Sequence, residues 1–90
     1  MLATAELNFD LEHKQFVIRV GELNELELYV DDCLRKRDDT SDPVAYVWTN
    51  IELNWEEHRY VEARLRRATR ELHVTVNRQT VFDNQLAETG

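Results

Sequence analysis

Turns, staples and nucleophiles are scarce in this chain, which has two glycines, one proline, one cysteine and one serine in 90 residues. Each shortage excludes something. A lone Cys33 forms no intrachain disulfide, so packing alone must hold the fold, and the composition fits a reducing, cytoplasmic setting. Gly21 and Gly90 cannot build a Gly-x-Gly-x-x-Gly or Gly-x-x-x-x-Gly-Lys phosphate cradle. Ser41 sits among aspartates that oppose an oxyanion, and Cys33 follows Asp31-Asp32, a setting that works against a thiolate. No window approaches eighteen apolar residues, so no segment reads as a membrane-spanning helix. The opening "MLATAELNFD" has neither the basic nor the apolar stretch of a secretory signal.

Metal chemistry is equally poorly supplied. His13, His58 and His73 are isolated, with no His-x-x-x-His or Cys-x-x-Cys pairing to suggest zinc. Asp38, Asp39 and Asp42 share one loop but lack the Asp-x-Asp-x-Asp-Gly spacing of a calcium loop, and they read as a solvated acidic turn. The expectation is a non-enzymatic chain with no catalytic residue, no metal and no cofactor.

Charge is present in quantity. Residues 1–45 carry eleven acidic and five basic side chains, residues 46–90 seven and six, and the net charge is -7. Such a balance repels phosphate backbones. Arg64, Arg66, Arg67 and Arg70, with Tyr60 and Trp48 nearby, have the ingredients of a stacking platform, but Glu62 and Glu71 adjoin them and nucleic-acid binding is disfavoured.

One domain is expected over residues 1–90. Strand patterns are plain in "TAELNFDL" and "FVIRV", a hairpin from Thr4 to Val20, and in "VAYVWTNIELNW", whose odd positions form an apolar row. Two segments are ambiguous, because helices near 22–36 and 54–70 also satisfy the spacing. Leu23, Leu26, Val30 and Cys33 make one helical stripe; Val61, Leu65, Ala68 and Leu72 make another. An internal echo favours strands: Glu25-Leu26-Glu27-Leu28-Tyr29-Val30-Asp31 matches Glu71-Leu72-His73-Val74-Thr75-Val76-Asn77 in pattern, each ending on a turn-tolerant Asx. These "VD" and "VN" turns resemble those of small β-sandwich modules such as the Fas apoptosis inhibitory molecule type, with Asp32 and Arg78 where glycine would stand. The fold class read from this is all-β, an antiparallel meander of about eight short strands in a small sandwich or partly open barrel. The alternative is α+β, ββαβαβ. The scarcity of glycine and proline weighs against so many turns.

If the strand of 44–55 pairs with the next one through a Glu56-Glu57-His58 loop, Leu53 meets Val61 and Ile51 meets Ala63. Trp48 then stacks on Arg66, while Arg67 and Arg70 lie in solvent and the last hairpin turns at Asn77-Arg78-Gln79. The candidate binding face is Tyr46, Trp48, Tyr60, Arg64 and Arg66, aromatics and arginines of the kind that concentrate binding energy. A covering sheet or subunit would make that row ordinary core. The functional expectation is a protein-interaction or homo-oligomerising module, using sheet edges or the Tyr46/Trp48 face, with a protein partner or a second copy. The alternative is a small-molecule module with a pocket between sheets, lined by Trp48, Trp55 and Tyr60, and an arginine for an anion.

Overall fold

A computed structural model describes residues 3–11, 13–54 and 57–86, which form eight strands and no helix. β1 (Ala3–Leu11), β2 (Lys14–Gly21), β3 (Leu26–Val30) and β4 (Cys33–Asp38) make one antiparallel sheet in chain order. β5 (Val44–Asn54), β6 (Glu57–Arg66), β7 (Glu71–Val76) and β8 (Gln79–Gln85) make a second. The sheets share one core as a sandwich and do not close into a barrel. The all-β reading holds, and the helices of the alternative, near 22–36 and 54–70, do not form among the described residues. Alternation wins there because it buries whole rows, Leu26, Leu28 and Val30 on β3 and Val61, Ala63 and Leu65 on β6. Leu23, which the helical stripe needed, is 87% exposed.

The core takes one row from each of five strands. Phe16, Ile18 and Val20 of β2 and the β3 row face Ala45, Val47 and Ile51 of β5, the β6 row, and Leu72, Val74 and Val76 of β7. Each large side chain so buried contributes about 2–3 kcal/mol.

The glycine shortage is met in an unexpected way. Six non-glycine residues hold positive φ: Asn24, Asp31, Asp32, Arg70, Asn77 and Arg78. Asp31-Asp32 and Asn77-Arg78 are two-residue turns with both φ positive, the geometry that matches the twist of paired strands. Gln79 therefore belongs to β8 and not to the turn. These turns also reach sideways. Asp31 Oδ1 accepts the Gln15 N–H at 2.9 Å and Asn77 Oδ1 accepts the Tyr60 N–H at 2.8 Å, so each Asx pins the neighbouring strand.

The sequence echo is thus a structural repeat. Asn24, Asp31 and Asp32 recur 46 residues later as Arg70, Asn77 and Arg78 with matching backbone. The β3–β4 pairing, Val30 with Cys33 and then Leu28 with Lys36 after a bulge, recurs at the same spacing as Val76 with Gln79 and Val74 with Phe82. Each sheet is one copy of the same four-strand meander. Asn24 and Arg70, which correspond to one another, meet directly, since an Arg70 guanidinium N–H donates to Asn24 Oδ1.

The β5–β6 register departs from expectation. Parity is as read, since the odd β5 row shares the core face with Val61, Ala63 and Leu65. Yet Thr49, not Leu53, lies opposite Val61, Ile51 opposite Arg59, and Trp48 opposite Glu62 instead of Arg66. The cause is a bulge between Glu52 and Asn54, which restores even parity to a tighter connection. His58 lies in β6, and Trp55 and Glu56 are outside the described residues.

Arg67 and Asp38 correct another expectation, being 13% and 15% exposed in their side chains where solvent was expected. Arg67 Nε donates to the Asn24 carbonyl at 3.1 Å, and Nη2 to the Asp38 carbonyl at 3.2 Å and carboxylate at 3.1 Å. Its Nη1 donates to the Asp42 carbonyl, and its backbone N–H to that of Pro43 at 3.0 Å. One guanidinium thereby ties the β2–β3 turn and the 39–43 crossover to the β6–β7 turn. Burial alone would raise the Asp38 carboxyl. The N–H of Tyr46, the hydroxyl and N–H of Thr40 and the Arg67 guanidinium outweigh burial, holding it well below the usual carboxylate range.

Two outcomes are expected. Asp38→Asn should cost about 3 kcal/mol near neutral pH, because it removes one partner of a largely buried charged network. Since the folded carboxyl lies below its unfolded value, that stability is present above about pH 4 and lost as pH falls below it. Urea midpoints of the two proteins should converge on acidification; a constant gap would refute the assignment. Arg78→Gly relieves a positive φ at an exposed turn position and should raise stability by about 0.5–1 kcal/mol, read as a higher urea midpoint.

Candidate functional site

With its odd row in the core, β5 must present its even residues on the outside of the second sheet. The ladder then sets Val44 opposite Arg66, Tyr46 opposite Arg64 and Trp48 opposite Glu62. β7 continues the face with His73 opposite Arg64 and Glu71 opposite Arg66, and β8 with Asp83 opposite His73. The first sheet packs on the other side and leaves this row largely open: Trp48 is 38% exposed and Tyr46 half-buried.

Glu62 organises one end of the face. Its carboxylate accepts the Tyr46 hydroxyl at 2.7 Å and an Arg64 N–H at 3.0 Å, and the Tyr46 and Tyr60 hydroxyls lie 3.3 Å apart. Arg64 rests over the Tyr46 ring at 4.7 Å, and the Trp48 and Tyr60 ring centroids are 5.6 Å apart. Burial, reinforced by the Tyr60 hydroxyl and the Glu62 charge, pushes the Tyr46 phenol well above its ordinary value, so it stays a neutral donor. Lys36 Nζ lies over Trp48 at 5.2 Å.

Of the five candidate residues, Tyr46, Trp48, Tyr60 and Arg64 form one contiguous cluster. Arg66 stands at the far end. It makes no ion pair among the described residues and borders an open depression of about 360 Å³ with Val44, Arg64, Glu71, His73 and Asp83. Arg64 also borders a second depression of about 450 Å³, with Tyr60, Glu62, Thr75 and Arg78. The alternative reading places Trp48, Trp55 and Tyr60 around a pocket between the sheets. Trp48 and Tyr60 lie outside, the space between sheets is filled by the apolar core, and Trp55 is outside the described residues.

Two participants escaped the sequence reading. Glu62 is visible in the sequence as the even-position neighbour of Arg64, where it reads only as a balancing charge. Lys36 was not legible, because it comes from the other sheet. β4 sets Lys36 opposite Leu28 and Asp38 opposite Leu26, on the inner side of the strand, and both reach across to β5.

The first sheet offers a contrast on its own outer face. There Arg19 bonds Glu6 at 3.0 Å and covers Tyr29 at 4.8 Å, the Tyr29 hydroxyl donates to Glu27, and Arg37 pairs with Glu27 at 3.6 Å. Those charges answer one another, whereas Arg66, Glu71 and Asp83 on the second sheet make no ion pair among the described residues. No group of three His, Cys, Asp or Glu among the described residues is placed to hold a metal.

Lys36→Ala should unveil the indole of Trp48. Read in a Trp55→Phe background, emission should move to longer wavelength, with a stability change within about 1 kcal/mol. Unchanged emission would show that Lys36 does not cover the ring.

Comparison of the chain with protein-family models, with curated proteins and with solved structures finds no match.

Proposed function

We propose that this chain is a non-enzymatic binding module that docks a protein partner on the outer face of its second sheet. The observation that carries the reading is Trp48, more than a third exposed yet flanked by Tyr60 and Lys36 beside an Arg64 already fixed by Glu62 and Tyr46. Aromatics and arginine held in place before binding lose little side-chain freedom on contact, which is what makes such residues effective anchors. The adjoining depression mixes Arg66 and His73 with Glu71 and Asp83. That mixture suits the varied charges of a protein surface better than a small anion, which the two carboxylates repel. The net charge of -7 likewise favours a protein over nucleic acid, and the lone cysteine fits a cytoplasmic setting.

Sedimentation at two concentrations separates a second copy from a different chain as the partner. The decisive comparison is affinity capture with the wild-type chain and with a Trp48→Ala, Arg64→Ala double variant whose circular dichroism is unchanged. The variant should lose the partner, with affinity down by a factor of about 100 or more, as expected for two anchor residues. Retention of the same partners by both proteins would sink the proposal.

A further inference from the structure

The two meanders are alike in topology but differ in how their first strands are guarded. β5 is guarded: Asp38 Oδ2 accepts the outward N–H of Tyr46 at 2.9 Å, and Lys36 lies over Trp48. Inward-pointing charges of this kind block the addition of a further strand. At the corresponding places the repeat has Phe82 and Asn84 on β8, and Glu6 on β1, opposite Arg19 as Tyr46 is opposite Arg64. Neither β8 residue repeats the guard. Phe82 packs against the core, and Asn84 Oδ1 accepts the N–H of its own neighbour Gln85 at 2.8 Å.

Among the described residues, no hydrogen bond or ion pair reaches β1 from any strand but β2. β1 is nine residues long. Ala5, Leu7, Phe9 and Leu11 pack against the core but stay half-buried, while Glu6, Asn8 and Asp10 are exposed on the other face. The strand thus combines an open backbone edge, an incompletely covered apolar row and an outer row with two acids, Asp10 and a Glu6 that pairs with Arg19.

We infer that β1 is a docking edge for an extended partner segment that alternates basic and apolar residues. Strand addition satisfies the outward N–H and C=O groups and extends the sheet. Apolar residues of the added strand complete the row beside Leu7 and Phe9, and basic ones lie beside Glu6 and Asp10. Charge selects this occupant. A second copy pairing β1 with β1 about Asn8 would set Glu6 opposite Asp10, like charge against like. The basic β4 of a second copy already commits Lys36 and Asp38 to its own β5. Residues 1–45 carry eleven acids against five bases, a field that draws a basic segment in. This surface is separate from the Trp48 face.

The probe is a labelled synthetic peptide of alternating lysine and valine, titrated against the full chain by fluorescence anisotropy. Saturable binding is expected, at least about tenfold weaker for a peptide of the same composition with its lysines grouped. Asn8→Pro removes an N–H that points away from β2, so it should block addition by a similar factor and leave the β1–β2 ladder intact. Asp10→Lys keeps the backbone and tests the charge alone, also with about a tenfold loss; it carries the test if the proline variant does not fold. Trp48→Ala should bind the peptide as the wild type does, whatever it does to partners of the other face. Absence of saturable binding, equal binding of the grouped peptide, indifference to Asp10→Lys, or loss on Trp48→Ala would each overturn the inference.

Discussion

Two sheets joined by one short crossover need something to fix the angle between them, and here the Arg67 guanidinium does so. It bonds the 39–43 crossover, the end of β4 and the β2–β3 turn from a position between β6 and β7. Planar donors spread over several directions suit this task, because one side chain satisfies carbonyls from segments that no strand ladder connects. The same contact holds the Asp38 carboxylate where it meets the Tyr46 N–H, so the guard on β5 follows from the closure of the sandwich. Nearby, Asn24 and Arg70 join at the point where the two meanders exchange equivalent residues. The clip, the turn-to-turn contact and the covered edge are therefore parts of one seam.

Either side of that seam, one backbone plan carries two different surfaces. The first sheet closes its outer face with paired charges around Arg19 and Glu27. The second gives the equivalent of Arg19, Arg64, an aromatic and acidic setting, with further charges left facing solvent. A repeated scaffold can diverge this way at little risk to the fold, because the core rows and turn geometry stay common while outward residues change. Where the copies differ most is where binding is most reasonably sought.

The sequence made the alternating rows legible, and with them the eight strands, since burying a full row needs no long-range information. It also made the repeat legible through Glu25–Asp31 and Glu71–Asn77, where Asx ends the strand and turns it. Turn counting by glycine and proline misled, because Asp32, Arg70 and Arg78 accept positive φ once the paired strands demand it. The β5–β6 register was hidden by a bulge, since parity admits several pairings and only local hydrogen bonding chooses among them. Lys36 over Trp48 and Arg67 on Asp38 were invisible for another reason. A long cationic side chain in a polar stretch reads as solvated until the segment facing it is known, and that of Arg67 lies 29 residues away.

Strand pairing confined to chain neighbours has a consequence for synthesis. The first sheet can complete its hydrogen-bonded ladders as soon as β4 leaves the ribosome, with loop closure short at every step. Its apolar side cannot be covered so soon. Phe16, Ile18 and Leu28 must wait for the second sheet, whose core-facing strands run from Val44 to Val76, at ordinary elongation rates of about 5–20 residues per second. For a few seconds the nascent chain is a formed but half-wet sheet. The charged residues of its other face, Glu6, Asp10, Arg19, Glu27 and Arg37, are then its main protection against sticking to a neighbour.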